Sequence, residues 1–139
     1  MINSKRSGVY TAPDKEFSIV VPEDWTLRQS HRNLEIASPS GKGALVVTTF
    51  RKTEPKTEAD AREHLRRFLK GAGVKGTPRV LAEAKSHSSA EYLDSSDRAW
   101  RVAFYATSHC LVLATFNSDQ DEDSDEKRRG LDALESIRI

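Results

Sequence analysis

Two neighbouring segments that are apolar on both faces of a strand constrain this fold more than any other feature. Residues 99–107 and 110–117 are predicted to pair as a hairpin, and both carry apolar side chains at odd and even positions. The faces are formed by Trp100, Val102 and Phe104 against Ala103 and Tyr105, and by Val112, Ala114 and Phe116 against Leu111 and Leu113. Strands of this kind need cover on both sides.

Two other segments have helical periodicity. In the first, Thr57 followed by Asp60 is close to a capping box, and an apolar stripe follows. The stripe consists of Ala61, Leu65, Phe68, Leu69 and Ala72. The second segment spans residues 123–138, with acidic residues at its start and apolar residues at helical spacing after them. We expect a helix from each.

Shorter strand-like segments complete the pattern, separated by turn residues such as Arg32-Asn33. They are residues 17–21, 27–31, 34–37, 44–50, 79–87 and 90–94. The segment 79–87 carries Glu83 and Lys85 on one face, which favours an exposed position. The sequence predicts an α+β fold in which an antiparallel β-sheet is flanked by helices. It forms a single domain over residues 13–139, after a polar N-terminal lead-in over residues 1–12.

The composition limits what this chain of 139 residues can do. It carries 22 basic and 21 acidic residues, a net charge of +1, so we expect no nucleic-acid partner, since such proteins carry a basic surplus. Cys110 is the one cysteine and allows no internal disulfide. The sequence contains neither a secretory signal nor a span long enough to cross a membrane, and a cytoplasmic protein without membrane contact is expected.

The hexapeptide at residues 71–76, Gly-Ala-Gly-Val-Lys-Gly, has the spacing of a dinucleotide-binding loop. A loop of that kind follows a strand and opens a helix, where phosphate meets the positive helix end. Here the helical stripe comes first, so the glycines are predicted to end a helix, with Gly71 or Gly73 in a left-handed conformation.

The acidic run at residues 119–123 begins like a calcium loop. Ser124 and Gly130 stand where that loop needs glycine and glutamate, so a charged start of the last helix is favoured over a weak surface cation site. The histidines are scattered, and His109 and Cys110 point to opposite faces of a strand. No catalytic, cofactor or metal residue is assigned, and the chain is interpreted as non-enzymatic.

Three features are candidates for contact with a protein partner. They are the basic face of the first helix, the acidic run, and the loop that carries an early tryptophan. The residues concerned are Arg62, Arg66 and Arg67; Asp119, Asp121 and Asp123; and Trp25. A solvated face with no partner is the competing interpretation of the basic cluster.

The stretch Phe17-Ser18-Ile19-Val20-Val21-Pro22-Glu23-Asp24-Trp25 resembles the opening of the PsbP/Mog1/DcrB-like domains. The proline ends a strand, and the tryptophan folds back to seal the core. The resemblance implies an antiparallel sheet between helices, an α/β/α sandwich, and an accessory role without transferable catalytic residues. Many relatives are exported or lipid-anchored, whereas this chain shows neither a leader nor an N-terminal cysteine.

Two hypotheses on function follow. The first is a non-enzymatic protein-binding or accessory module, including an immunity-type protein, that acts as a monomer or homodimer. The second is a small-ligand-binding protein or enzyme with a pocket between sheet and helix, lined by Trp100, Tyr105, Cys110 or His109.

Overall fold

A computed structural model describes residues 2–3, 8–13, 16–51, 60–108, 110–118 and 125–139. The described strands are β1 (Ile2–Asn3), β2 (Gly8–Thr11), β3 (Ser18–Val21), β4 (Thr26–Ser30), β5 (Asn33–Ala37), β6 (Gly43–Arg51), β7 (Val74–Glu83), β8 (His87–Asp94), β9 (Ala99–Ala106) and β10 (Cys110–Ser118). The helices are α1 (Ala61–Gly71), between β6 and β7, and α2 (Asp125–Glu135), after β10.

Eight of these strands form one sheet in the order β1-β4-β5-β6-β10-β9-β8-β7. The two remaining strands, β2 and β3, form a separate hairpin. Every pairing between described strands is antiparallel. The strands β9 and β10, predicted from their two apolar faces, lie at the centre of the large sheet, where cover on both sides is possible.

The two helices pack on opposite faces of the sheet. One core contains Ala61 and Leu65 of α1, packed against β8, β9 and β10. The other contains Ala133 and Leu134 of α2 together with the β2–β3 hairpin, packed against β4, β5, β6 and β10. The predicted α+β fold, with an antiparallel sheet flanked by helices, is confirmed. We call the face of the sheet on which α2 and the β2–β3 hairpin pack the α2 face.

The glycine-rich hexapeptide ends α1, as predicted. Gly73 has φ 68°, in the left-handed region that glycine tolerates, and β7 begins at the next residue. At the other end the N-cap is Asp60, whose carboxylate accepts from the Arg62 backbone N–H at 3.0 Å. The hydrogen bonds from Arg62 hold the Asp60 pKa at about 2. Thr57 lies outside the described residues.

Helix α2 needs a glycine in its middle because it approaches the sheet closely. A Cβ built on Gly130 would lie 2.3 Å from the ring of Phe116, a buried residue of β10. After the helix, residue 138 pairs with Ser18 of β3 through two backbone hydrogen bonds of 2.8 and 2.9 Å. The C-terminal segment is therefore fixed against the β2–β3 hairpin.

The opening motif forms the turn that its residue types indicate. Strand β3 ends before Pro22, and the Trp25 backbone N–H donates to the Pro22 carbonyl at 3.3 Å. Asp24, which lies between them, has φ 64°, in the left-handed region. Trp25 is 1% exposed, with its ring centroid 6.3 Å from that of Phe116. The tryptophan closes the core on the α2 face.

Two predicted boundaries are wrong. Residues 8–11 of the proposed lead-in form β2, which pairs with β3, and residues 2–3 pair with β4. The break between the predicted strand segments 79–87 and 90–94 lies instead at residues 84–86, and Ser88 and Ser89 both belong to β8. Ser88 is buried in β8, and its hydroxyl donates to the Ala84 carbonyl at 2.8 Å, across the turn. This hydrogen bond compensates for the burial of the hydroxyl. Serine is common in turns, but here its hydroxyl has a hydrogen-bond partner inside a strand.

The described layers leave half of the α2 face open. Helix α2 packs on β6, β10 and β3, and the β2–β3 hairpin completes that core. Beyond it, β7 is the edge strand and most of its residues are exposed. We call the surface over β7, β8 and the outer part of β9, bounded on one side by α2 and the C-terminal segment, the groove.

Candidate functional site

A single row of residues crosses the α2 face, and its side chains change from apolar to charged halfway along the row. Successive strand registers place Leu27, Ile36, Leu45, Phe116, Arg101, Glu91 and Arg79 opposite one another. The first four are buried beneath α2 and the hairpin. The last three are charged and form the floor of the groove.

These charges form a continuous ion network from the helix to the edge strand. Glu135 of α2 lies 3.4 Å from Arg101, which lies 3.1 Å from Glu91, which lies 3.2 Å from Arg79. The Arg101 side chain is only 16% exposed, so its charge is largely desolvated and depends on these carboxylates. Its Nε is buried without a hydrogen-bond partner among the described residues.

The network divides the groove into two pockets. The larger has a volume of about 580 Å³ and lies between the sheet and the end of α2, with lining residues that include Leu81, His87, Ser89, Tyr105, Leu134 and Ile137. The smaller, about 330 Å³, lies beside the start of α2 and is lined by residues that include Lys75, Thr77, Leu93, Lys127 and Leu131. Both volumes are in the range of ligand sites in proteins.

An aromatic pair forms one wall of the larger pocket. The rings of His87 and Tyr105 stack with centroids 4.5 Å apart and planes 7° from parallel. Burial lowers the pKa of His87 and raises that of Tyr105, so both rings favour the neutral form. The pair presents a flat, uncharged surface in the pocket that Arg101 also lines.

The groove is more positive than the protein as a whole. The side chains lining its two pockets include five basic and two acidic residues, namely Lys75, Arg79, Arg101, Lys127 and Arg138, and Glu91 and Glu135. Asp97 pairs with Lys75 at the rim, so among these described residues the positive charges exceed the negative ones by two. The whole chain has a net charge of +1.

The edge strand beside the groove is unsuited to backbone pairing with another strand. Its register against β8 shifts twice, Gly76 has φ 75°, and Pro78 lacks a backbone donor. Bulges and proline are devices that block edge-to-edge association. Recognition at this side of the molecule would therefore use the side chains of the groove.

The structure separates the predicted partner-contact residues. Trp25 is buried, so its prediction as a contact residue is wrong: the core that it seals removes it from solvent. On α1, Arg62 pairs with Asp60 at 2.9 Å and Arg66 lies 3.9 Å from Glu83. Arg67 is exposed on the same helix. The predicted acidic contacts, Asp119, Asp121 and Asp123, lie outside the described residues.

The residues predicted to line a sheet–helix pocket do not meet in one place. Tyr105 lines the larger pocket, but Cys110 is buried in the closed core of the α2 face. Trp100 packs against the α1 core and also lines the smaller pocket, and its indole N–H donates to Asp94 at 2.8 Å. His109 lies outside the described residues. Within the described ranges, histidine, cysteine and acidic residues form no cluster that could hold a metal ion.

Sequence reasoning missed the charged floor of the groove. One signal was available: Arg101 is the only charged residue in the otherwise apolar segment 99–107. A charge inside a central strand must be paired or must face an opening in the cover. Its partners Glu91 and Glu135 could not be identified, because their proximity depends on strand register and on where α2 ends.

The described helices contain no stretch that is long and apolar enough to cross a membrane. Neither a protein-family model nor a curated protein matches the sequence. A crystal structure from Bacteroides thetaiotaomicron VPI-5482, at 1.50 Å resolution, is similar in fold, with a TM-score of 0.59 and 12% sequence identity. The match covers 99% of this chain and 49% of the Bacteroides chain, so this chain spans about half the length of the Bacteroides chain.

At this level of identity, the similarity shows the fold alone. The chain has the class of fold defined above, an antiparallel sheet with helices on opposite faces. Its relation to the PsbP/Mog1/DcrB-like domains stays a prediction.

Proposed function

We propose that the protein is a non-catalytic binding module that holds a segment of a protein partner in the groove. The observation that carries the proposal is the charged half of the α2 face that the described residues leave open, with two pockets in succession. Most apolar surface of the sheet is covered, yet here a desolvated arginine and a stacked aromatic pair lie at the floor of an opening. Structure of this kind is typical of binding sites.

The shape of the groove favours a chain segment over a compact molecule. Two pockets separated by the Arg101–Glu135 contact can take successive side chains of an extended segment. Leu81, Leu93 and Ile139 are 39%, 37% and 51% exposed, and each lines one of the two pockets. Apolar side chains around a charged centre can contribute contact area as well as specificity.

An accessory protein of the PsbP/Mog1/DcrB-like kind, including an immunity-type protein, would use such a site. That assignment rests on the opening motif and on the order of elements. A cytoplasmic location and a monomeric or homodimeric state belong to the same proposal.

The test is affinity capture from native lysate at moderate salt, read by mass spectrometry, with three baits. The first is the wild type, and the second is Leu81→Trp, which places a large ring in the larger pocket. The third, Thr26→Trp, is the matched control on an exposed strand position outside the pockets. We expect a stoichiometric partner that binds the wild type and the control but not Leu81→Trp.

A partner retained equally by all three baits would show that binding lies elsewhere. Charge reversal at Arg62, Arg66 and Arg67 then tests the basic face of α1, since loss of the partner in that variant would move the site to that helix.

A small-ligand site in the larger pocket is the second candidate. It is favoured by the volume of about 580 Å³ and by the stacked His87–Tyr105 surface, on which a planar molecule can pack. A thermal-shift screen with metabolites and metal ions tests it, because a ligand that binds only the folded state raises the melting temperature. Stabilisation of the wild type but not of Leu81→Trp would favour this candidate.

A further inference from the structure

We infer that the segment held in the groove is acidic, with carboxylate side chains that engage Arg101 and the basic rim. The inference rests on the proposed function and adds the chemistry of the partner. It begins with the charge balance: the lining residues carry an excess of positive charge in a protein that is nearly neutral overall. An acidic partner matches that balance.

The contacts of Arg101 indicate where a carboxylate would bind. Glu91 is shared between two guanidinium groups, those of Arg79 and Arg101, and is fixed on the sheet. Glu135 has a side chain that is 66% exposed, and its oxygen lies 3.4 Å from Arg101, longer than a strong charge-assisted bond. A carboxylate from a partner can displace Glu135 to solvent and take its place on Arg101.

The same surface fits a peptide better than a nucleic acid. A nucleic acid would bring a continuous row of phosphates past Glu91 and Glu135, whereas a peptide can place single carboxylates at the cations and other side chains beside the glutamates. Leu81, Leu93 and Ile139 add apolar surface next to the charges. The combination favours a segment in which acidic and apolar side chains alternate.

A display library of random 12-residue peptides tests the inference. Peptides are selected on the wild type and counter-selected on Leu81→Trp, so that only ligands of the groove are enriched. We expect the enriched peptides to have an excess of Asp and Glu over the starting library. Thr77→Trp, at the smaller pocket, repeats the counter-selection in case Leu81→Trp folds poorly, which thermal unfolding of each variant shows.

The enriched peptides are then titrated by fluorescence anisotropy against two charge variants. One is Lys75→Gln with Arg79→Gln, on the rim of the groove, and the matched control is Arg66→Gln with Arg67→Gln, on α1. Both remove two exposed positive charges. We expect affinity to fall about tenfold or more with the rim variant, and about twofold or less with the control, whose charges act only at long range.

Each result has one meaning. Enriched peptides that bind the groove but are not acidic would overturn this inference and leave the proposed function standing. Failure to enrich any peptide, or binding to Leu81→Trp and Thr77→Trp as tight as binding to the wild type, would overturn both. Equal losses in the two charge variants would mean general attraction rather than a site, and tighter binding of a mixed single-stranded oligonucleotide would replace the peptide by nucleic acid.

One further arm concerns the acidic run, since residues 119–124 directly follow Ser118, which lines the smaller pocket. Changing Asp119, Asp121 and Asp123 to Asn should leave the peptide affinity unchanged or raise it. A loss of affinity in this variant would contradict the inference, because an acidic ligand cannot depend on an acidic neighbour for attraction.

Discussion

The closed and open halves of the α2 face are continuous in the backbone but opposite in chemistry. In the closed half, Phe116 packs under Gly130 of α2 and beside Trp25, all within one buried core. In the open half, the next residue of the same row, Arg101, is held by glutamates from β8 and α2. The β10–β9 register is regular where the row passes from Phe116 to Arg101, so the chemistry changes there without a break in strand pairing.

The difference separates stability from binding. Burial of apolar side chains stabilises a fold in proportion to the area removed from water, and most of that area lies in the closed half. The ion network of the open half includes two exposed side chains, Arg79 and Glu135, and pairs of that kind contribute little to stability. We therefore expect changes in the closed half to cost folding free energy, and changes in the open half to affect binding.

The largest effect is expected from Gly130→Ala in the closed half. Alanine normally stabilises a helix by about 1 kcal/mol relative to glycine. Here the new methyl group would lie 2.3 Å from the Phe116 ring, and overpacking of a core costs about 1–3 kcal/mol. We expect the difference, a net loss of up to about 2 kcal/mol in the free energy of unfolding, measured by urea denaturation.

A double-mutant cycle with Phe116→Leu provides the control. The smaller side chain makes room for the methyl group, so Gly130→Ala should cost less in that background. If Gly130→Ala stabilises the wild type, the helix does not approach β10 as closely as described, and the contrast between the halves weakens.

An intermediate effect is expected from Arg101→Met in the open half. Methionine keeps the apolar stem, and the change leaves Glu91 paired with Arg79 and Glu135 exposed to solvent. Since neither carboxylate is left buried and unpaired, we expect a loss of about 1 kcal/mol or less, against the 3–5 kcal/mol typical of breaking a buried pair. Urea denaturation under the same conditions gives the comparison.

A loss of 3 kcal/mol or more in Arg101→Met would contradict this view. It would place the ion network among the main determinants of the fold, and the open half would then be a structural element rather than a candidate binding site.

The elements that build the two cores were largely predictable from the sequence, because their signals are local. The alternation in β9 and β10, the stripe on α1 and the glycines at residues 71–76 each depend on neighbours within one turn or strand. The motif from Phe17 to Trp25 likewise carries its own turn, with Pro22 ending a strand and Asp24 in the left-handed region.

The groove was not predictable, because it depends on contacts between distant residues. Residues 79, 91, 101 and 135 meet only when β7, β8 and β9 adopt one register and α2 ends beside them. The predicted break between segments 79–87 and 90–94 would have left Ser88 and Ser89 out of β8. Its true position depends on the hydrogen bond of the Ser88 hydroxyl to Ala84, which no spacing in the sequence indicates.

The smallest effect is expected from the pH dependence of the open half. Burial lowers the pKa of His87 in the folded state, so the unfolded chain binds a proton more readily near the ordinary value of 6.5. Stability should therefore fall as the pH is lowered through about 6.5. The pKa values of Asp60 and Asp94 are also lowered, but from an ordinary value of 3.8, well below this window.

His87→Phe isolates this contribution, because a phenyl ring can keep the stack on Tyr105 and cannot be protonated. Between pH 7.5 and 5.5, the urea midpoint of the wild type should fall more than that of the variant. Parallel pH profiles would show that His87 is as solvated in the folded state as in the unfolded one. The larger pocket would then be more open than described, and the contrast between the two halves would rest on the ion network alone.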